Sequence, residues 1–222
     1  MNKRFALWGG TVAAMAAVVI LMVRLADEET DTAADINTGN DMEVQAEQAE
    51  KLEMRSDDWF KGDADAEVVI VKYSDFQCPA CRFYASMDDQ LGRELADEVA
   101  FVHRYFPLRS FEHSRLAARF SEAAGRQGAF WEMHDLLYIN QQNWARGDAA
   151  EIFREFAQAL ELDMDQLEED LEDPALMERI ERDYQDGQEL GVQAVPTLFR
   201  NGEVMPGPES MEHYREMIID GF

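Results

Sequence analysis

Two cysteines, Cys78 and Cys81, are the only thiols in this 222-residue chain, and Pro79 and Ala80 stand between them. A disulfide framework uses more cysteines across wider loops, and a four-ligand zinc site needs a second ligand pair. His103, His113, His134 and His213 show no ligand spacing, so no metal is expected. A lone C-x-x-C points first to redox chemistry. A thiolate, not a thiol, attacks a disulfide, so one sulfur needs its negative charge stabilised. The start of a helix does this with free N–H groups and the positive end of its dipole. Pro79 suits a first helical position, where its missing N–H costs nothing. Cys78 then falls at the junction as the exposed attacking sulfur. Cys81 lies one turn inside, more buried, as the sulfur that resolves a mixed disulfide.

The elements needed to hold this pair can be read on either side of it. Glu67 to Ser74 (EVVIVKYS) is rich in β-branched residues and predicts a buried strand leading into the pair. After it, Tyr84, Met87, Leu91 and Leu95 recur at helical spacing. A second strand is predicted over Val99 to Tyr105, followed by several helices. Leu116, Phe120 and Ala124 mark one. Phe130, Met133, Leu137 and Tyr138 mark another, with Phe130, Trp131 and Met133 read as core. Asp148 with Glu151 forms a capping box for a third, and Asp173-Pro174 reads as an N-cap with a first-turn proline for a fourth. Strand signals return at Thr197 to Arg200 and Glu203 to Met205 around the hairpin turn Asn201-Gly202, and a last helix covers about Ser210 to Ile219.

The N-terminal quarter is different. Phe5 to Val23 (FALWGGTVAAMAAVVILMV) carries no charge and is long enough to cross a bilayer as a helix. Lys3 and Arg4 precede it, which favours a cytoplasmic N-terminus and an exported remainder. The exit VRLADEE is a poor small-x-small cleavage site, so the expectation is an uncleaved anchor in the cytoplasmic membrane over residues 1–25. A cleaved signal, giving a secreted or periplasmic protein, is the alternative. Residues 26–57 read as an acidic linker, with a helical turn or more around Met42 to Met54, and the folded part as 58–222. The whole chain holds 46 Asp and Glu against 20 Lys and Arg, a formal charge of −26. That excludes nucleic-acid binding, which needs clustered cations. The acidic bias fits either a saline habitat or an ordinary acidic protein with an acidic linker.

The run VVIVKYSDFQCPAC (68–81) resembles the active-site strand and helix start of DsbA-like proteins, thiol–disulfide oxidoreductases of the thioredoxin superfamily. The resemblance extends to FVHRYFPLR (101–109), AFWEMHDLLYINQQNW (129–144) and GVQAVPTLFRNG (191–202), roughly Trp59 to Phe222 in all. It implies an α/β thioredoxin-like fold with an inserted helical domain at about 107–190, behind an N-terminal transmembrane helix. It also implies a cis-proline facing the cysteines, at Pro196 after Val195; an ordinary trans proline entering an edge strand is the other reading. Pro196 lies 196 − 78 = 118 residues after Cys78, room for such an insertion.

Family members often carry a buried carboxylate six residues before the first cysteine. Here that position is Lys72. Its ammonium either stabilises the thiolate, or reaches solvent or Asp75 with no redox role. Phe76 is read either as part of an apolar substrate patch or as loop packing. The expected environment of the pair is thus Lys72, Phe76, Pro79, Ala80 and Val195. No cofactor is expected beyond the Cys78–Cys81 disulfide itself.

The function implied is oxidation of dithiols in exported client proteins, with recycling by a membrane redox partner. The alternatives are a reductase or isomerase fed by a membrane electron donor, and a metal-binding chaperone using the same cysteines.

Overall fold

The computed structural model describes residues 44–222, and the expected membrane helix at Phe5 to Val23 lies outside them. Among the described residues no helix is long and apolar enough to cross a membrane. Helix α1 covers residues 44–52, and the compact unit to which everything below belongs runs Lys51–Phe222.

Five strands form one sheet in the order β1-β3-β2-β4-β5. The two central strands, β2 (Val68–Ser74) and β3 (Val99–Tyr105), run parallel and are joined through helix α2 (Pro79–Glu94). The antiparallel β4 (Thr197–Arg200) pairs with β2, and β5 (Glu203–Val204) with β4. The β4–β5 turn places Asn201 at φ 47° and Gly202 at φ 86°, the left-handed pair that Asn-Gly supplies cheaply. Strand β1 (Trp59–Lys61) pairs antiparallel with β3; three residues are too few to leave a readable pattern in sequence.

Six helices enter between β3 and β4: α3 (Ser114–Arg126), α4 (Phe130–Ile139), α5 (Gln141–Trp144), α6 (Ala149–Ala159), α7 (Met164–Glu172) and α8 (Pro174–Glu189). The fold is thus a mixed α/β thioredoxin-like sheet carrying a helical insertion. The caps are as anticipated, Asp148 accepting from the Glu151 N–H and Asp173 from the Ala175 N–H. Helix α9 (Met211–Asp220) is capped by Ser210.

Side chains alternate across a strand, so β2 serves two layers. Ile70 packs with Leu91, Tyr214 and Met217 from α2 and α9, while Val71 and Tyr73 pack with Phe199 and Tyr184 on the opposite face. By the same alternation Lys72 and Ser74 share the face of Ile70, the face that α2 covers. A third core, built on Phe120, Phe130, Leu137, Trp144 and Phe153, fills the insertion and includes Phe76 and Cys81. Helix α8 comes so close to the sheet that a Cβ on Gly187 would lie 2.7 Å from the Phe106 ring.

The compact unit begins at Lys51, ahead of the Asp58 expected from composition, and the reason is one buried cation. The Arg104 guanidinium on β3 donates to the carbonyls of Lys51 and Glu53 (3.0 and 2.9 Å) and to the Asp58 carboxylate (2.5 Å). Leu52 is buried in the core beneath α8. Arg55 adds bonds to Asp183 and Asp186.

Candidate active site

Cys78 occupies the N-cap position of α2, and Pro79 begins the helix. Both cysteines are free thiols. Cys81 is fully buried, and Cys78 is 7% exposed rather than openly accessible. The loop before β4 closes over it: the Cys78 thiol reaches the Val195 carbonyl at 3.5 Å. The Val195–Pro196 peptide in this loop is cis.

The two sulfurs are electrostatically unequal. The hydrogen bond from the Cys81 thiol, followed by the N–H groups of Cys81 and Ala80, brings Cys78 down to about 6, against desolvation and the Asp75 carboxylate. Burial, and then the neighbouring Cys78, hold Cys81 far above the usual thiol range. One sulfur is thus a thiolate near neutral pH and the other a thiol.

Much of what fixes the redox loop left no trace in the sequence pattern. Asp75 is a scaffold residue: its carboxylate accepts from the N–H groups of Gln77 and Leu108, both at 2.7 Å, and from the Ser114 hydroxyl at 2.6 Å. Gln141, buried on the short α5, donates to the carbonyls of Phe76 and Cys78 at 2.8 and 2.9 Å. The Gln77 side chain accepts from the His113 backbone N–H at 2.8 Å. Gln141 lies 63 residues after Cys78 and carries no ring nitrogen, thiol or carboxylate, so neither its type nor its spacing marks it.

Phe76 is 2% exposed, so it belongs to loop packing and not to a surface patch for substrate. Its ring stacks on His103 (5.3 Å) and leans on Tyr138 (5.0 Å). Burial, then nearby positive charge, keeps His103 and His134 well below the usual histidine range and therefore neutral. The exposed apolar surface beside the pair comes instead from Phe83 and Ile139, 63% and 74% exposed. They flank a groove of about 570 Å³ lined also by Pro79, Arg82, Asp135 and Tyr138.

Lys72 reaches neither solvent nor Asp75. Its ammonium is buried under α2, bonded to the Asp88 carboxylate, which also accepts from the Tyr214 hydroxyl at 2.7 Å. Lys72 is not among the main influences on Cys78. Lys72→Met is therefore expected to cost about 3 kcal/mol in urea unfolding, since Asp88 loses its buried counter-charge but keeps the Tyr214 hydroxyl, while the Cys78 titration stays where it was. A titration shift as large as tenfold in thiolate at fixed pH would contradict this arrangement. Among the described residues no cluster of ligands fit to hold a metal is found.

The comparisons with known proteins agree with this fold. Residues 55–220 match the family model described as Thioredoxin. A thioredoxin-like oxidoreductase from Silicibacter pomeroyi superposes with a TM-score of 0.65 at 25% identity, over 75% of this chain and 92% of that one. The thiol-disulfide exchange protein alpha-DsbA2 from Wolbachia pipientis superposes at 0.68 with 16% identity, over 82% of this chain and 97% of that one. BdbD from Bacillus subtilis does so at 0.63 with 23% identity, over 73% and 91%. In sequence, a protein from Salinispora tropica named Na(+)/H(+) antiporter NhaA 3 is 34% identical over 169 residues, 74% of this chain but 25% of that protein. This chain spans about a quarter of the length of such relatives. The chain belongs to the thioredoxin family.

Proposed function

We propose that this chain oxidises dithiols to disulfides in exported proteins, with Cys78 as the sulfur that exchanges with the client and Cys81 as the resolving sulfur. The observation that carries the direction is the depressed Cys78 thiol, near 6 beside a protonated Cys81. Whatever stabilises the thiolate stabilises the reduced protein and so makes its disulfide a stronger oxidant. Each tenfold gain in thiolate is worth about 1.4 kcal/mol, or about 30 mV for this two-electron couple. The uncharged run at residues 5–23 behind Lys3 and Arg4 supports a membrane anchor with the catalytic unit outside the cytoplasm. A membrane partner that reoxidises the pair completes the cycle.

Equilibration of the Cys78–Cys81 pair against glutathione tests the direction. A potential well above that of glutathione is expected; one well below it would make the protein a reductase.

The pH dependence has a defined sign. The folded Cys78 lies at about 6, below its unfolded value, so folding of the reduced protein gains from thiolate formation. That gain is complete above the ordinary thiol value, roughly 8.5, and is lost as pH falls through the folded value. The oxidised protein has no thiol to titrate. Reduced and oxidised stabilities should therefore diverge in favour of the reduced form as pH rises from about 6. Alkylation of Cys78 should show a midpoint near pH 6. A midpoint in the ordinary thiol range would remove the basis for an oxidase.

A further inference from the structure

The resolving sulfur has a proton problem. When a client thiolate attacks Cys78 in the oxidised protein, a client–Cys78 bond forms and the Cys78–Cys81 bond breaks. The electron pair goes to the Cys81 sulfur, whose surroundings disfavour a thiolate, and a poorly stabilised thiolate leaves slowly. No carboxylate lies six residues before Cys78; Lys72 is there, and it is occupied by Asp88.

What lies against Cys81 is a hydroxyl. Ser74, the last residue of β2 on the face that α2 covers, is a polar neighbour that favours the Cys81 thiolate. Its oxygen sits 2.8 Å from the Tyr138 hydroxyl, in a bond where either atom can be the donor. The Tyr138 hydroxyl also lies 3.4 Å from the Asp75 carbonyl, and the residue forms part of the wall of the groove beside Pro79. Ser74 and Tyr138 are otherwise deeply buried, at 2% and 3% exposed.

We propose that Ser74 and Tyr138 form a hydroxyl relay that carries the proton between Cys81 and the groove, in place of a buried carboxylate. As the Cys78–Cys81 bond breaks, Ser74 gives its proton to the departing sulfur and takes one from Tyr138. Tyr138 is restored by a proton from water in the groove, and the negative charge that arrived with the client thiolate leaves to solvent as hydroxide, so Cys81, Ser74 and Tyr138 all end neutral. When Cys81 attacks instead, the same two hydroxyls reverse and carry its proton out. Burial, then the nearby Cys81, holds the Tyr138 hydroxyl protonated, and the two-way hydrogen bond to Ser74 is what a reversible relay requires. The titratable groups facing the relay are Cys78 and Tyr84 from α2 and its cap, Asp75 from the loop, and His134 one turn before Tyr138 on α4. His134 is neutral, and Asp75 is committed to three donors.

The inference rests on the redox reading of the pair, and the test separates the two. Oxidised wild type, Ser74→Ala and Tyr138→Phe are each mixed with glutathione under single-turnover conditions, and formation of the mixed disulfide is timed across pH. Both variants should slow in both directions, by about 10- to 100-fold, at the low end of what a positioned acid supplies. For Tyr138→Phe the equilibrium with glutathione should stay within about twofold, since a relay changes rates and not end states. Added imidazolium should restore rate to the variants and leave wild type unaffected. Wild-type rates in folded Tyr138→Phe overturn the relay while leaving the redox function intact. Rates that fall only in step with a changed equilibrium overturn it too, as a purely electrostatic effect. A wild-type protein that does not exchange with glutathione sinks both readings.

Discussion

Cys78→Ser is expected to abolish disulfide exchange outright, and Cys81→Ser to leave the first half-reaction intact while trapping the second. The asymmetry of the two sulfurs requires this. Cys78 is the one that is thiolate near neutral pH and the one at the protein surface, however narrowly. A serine there has no sulfur for a client to attack, and its hydroxyl is no substitute at physiological pH. Reduced Cys81→Ser should attack an activated disulfide through Cys78 and stop, because no second thiol lies near enough to displace the client. Mixed disulfides should accumulate to stoichiometric amounts, visible by mass and released by reductant. The remaining Cys78 should also titrate higher, since its largest stabilising influence is the hydrogen bond from Cys81. Exchange by Cys78→Ser above the uncatalysed rate, or free turnover by Cys81→Ser, would reverse the assignment.

The largest stability effect should come from Arg104, far from the sulfurs in sequence. Arg104 and Asp58 have no side-chain exposure at all, and the same guanidinium satisfies the carbonyls of Lys51 and Glu53. In Arg104→Met, Asp58 is left as an uncompensated buried carboxylate, which costs about 3–5 kcal/mol. Against a typical total of about 5–15 kcal/mol, that is enough to leave a marginal protein. Arg104→Lys should recover only part, because one ammonium cannot reach three acceptors that a planar fork spans. Arg104→Met with Asp58→Leu should recover more, since it removes the stranded charge. Urea unfolding followed by tryptophan fluorescence measures all three. An Arg104→Met protein within about 1 kcal/mol of wild type would show that the cation is not what holds residues 51–58.

How far the fold and the site could be read from sequence followed the range of the interactions involved. Strands β2 and β3, helix α2 and the Asn201-Gly202 turn depend on neighbours a few positions away, so their patterns are local and legible. The Asp148 and Asp173 caps are legible for the same reason. Cys78 and Cys81 announced themselves by type and spacing, and the Val195–Pro196 loop was reached through family resemblance. What stayed hidden is what only the closed fold brings together. Lys72 finds its partner 16 residues on, at Asp88, and Ser74 finds Tyr138 at a separation of 64. Strand alternation already put Lys72 and Ser74 on one face with Ile70. Which helical residue would lie over each depends on how α2 and α4 pack, and no periodicity encodes that. Arg104 is the extreme case: within the apolar strand sequence VAFVHRY it reads as an outward-facing charge, and it is fully buried because the chain ahead of β1 folds over it.

The sheet itself carries a last implication. Its edges are strands of three and two residues, β1 and β5, and β5 is exposed and begins with Glu203. An unfolded polypeptide that tried to extend the sheet from either side would find only two or three rungs of unpaired backbone. Strands that short, with a charge at the rim, are a common defence against edge-to-edge association. A protein whose proposed work is to handle unfinished chains meets sticky, extended segments at every turnover. With edges this short, such segments would find no sheet here to serve as a template for aggregation.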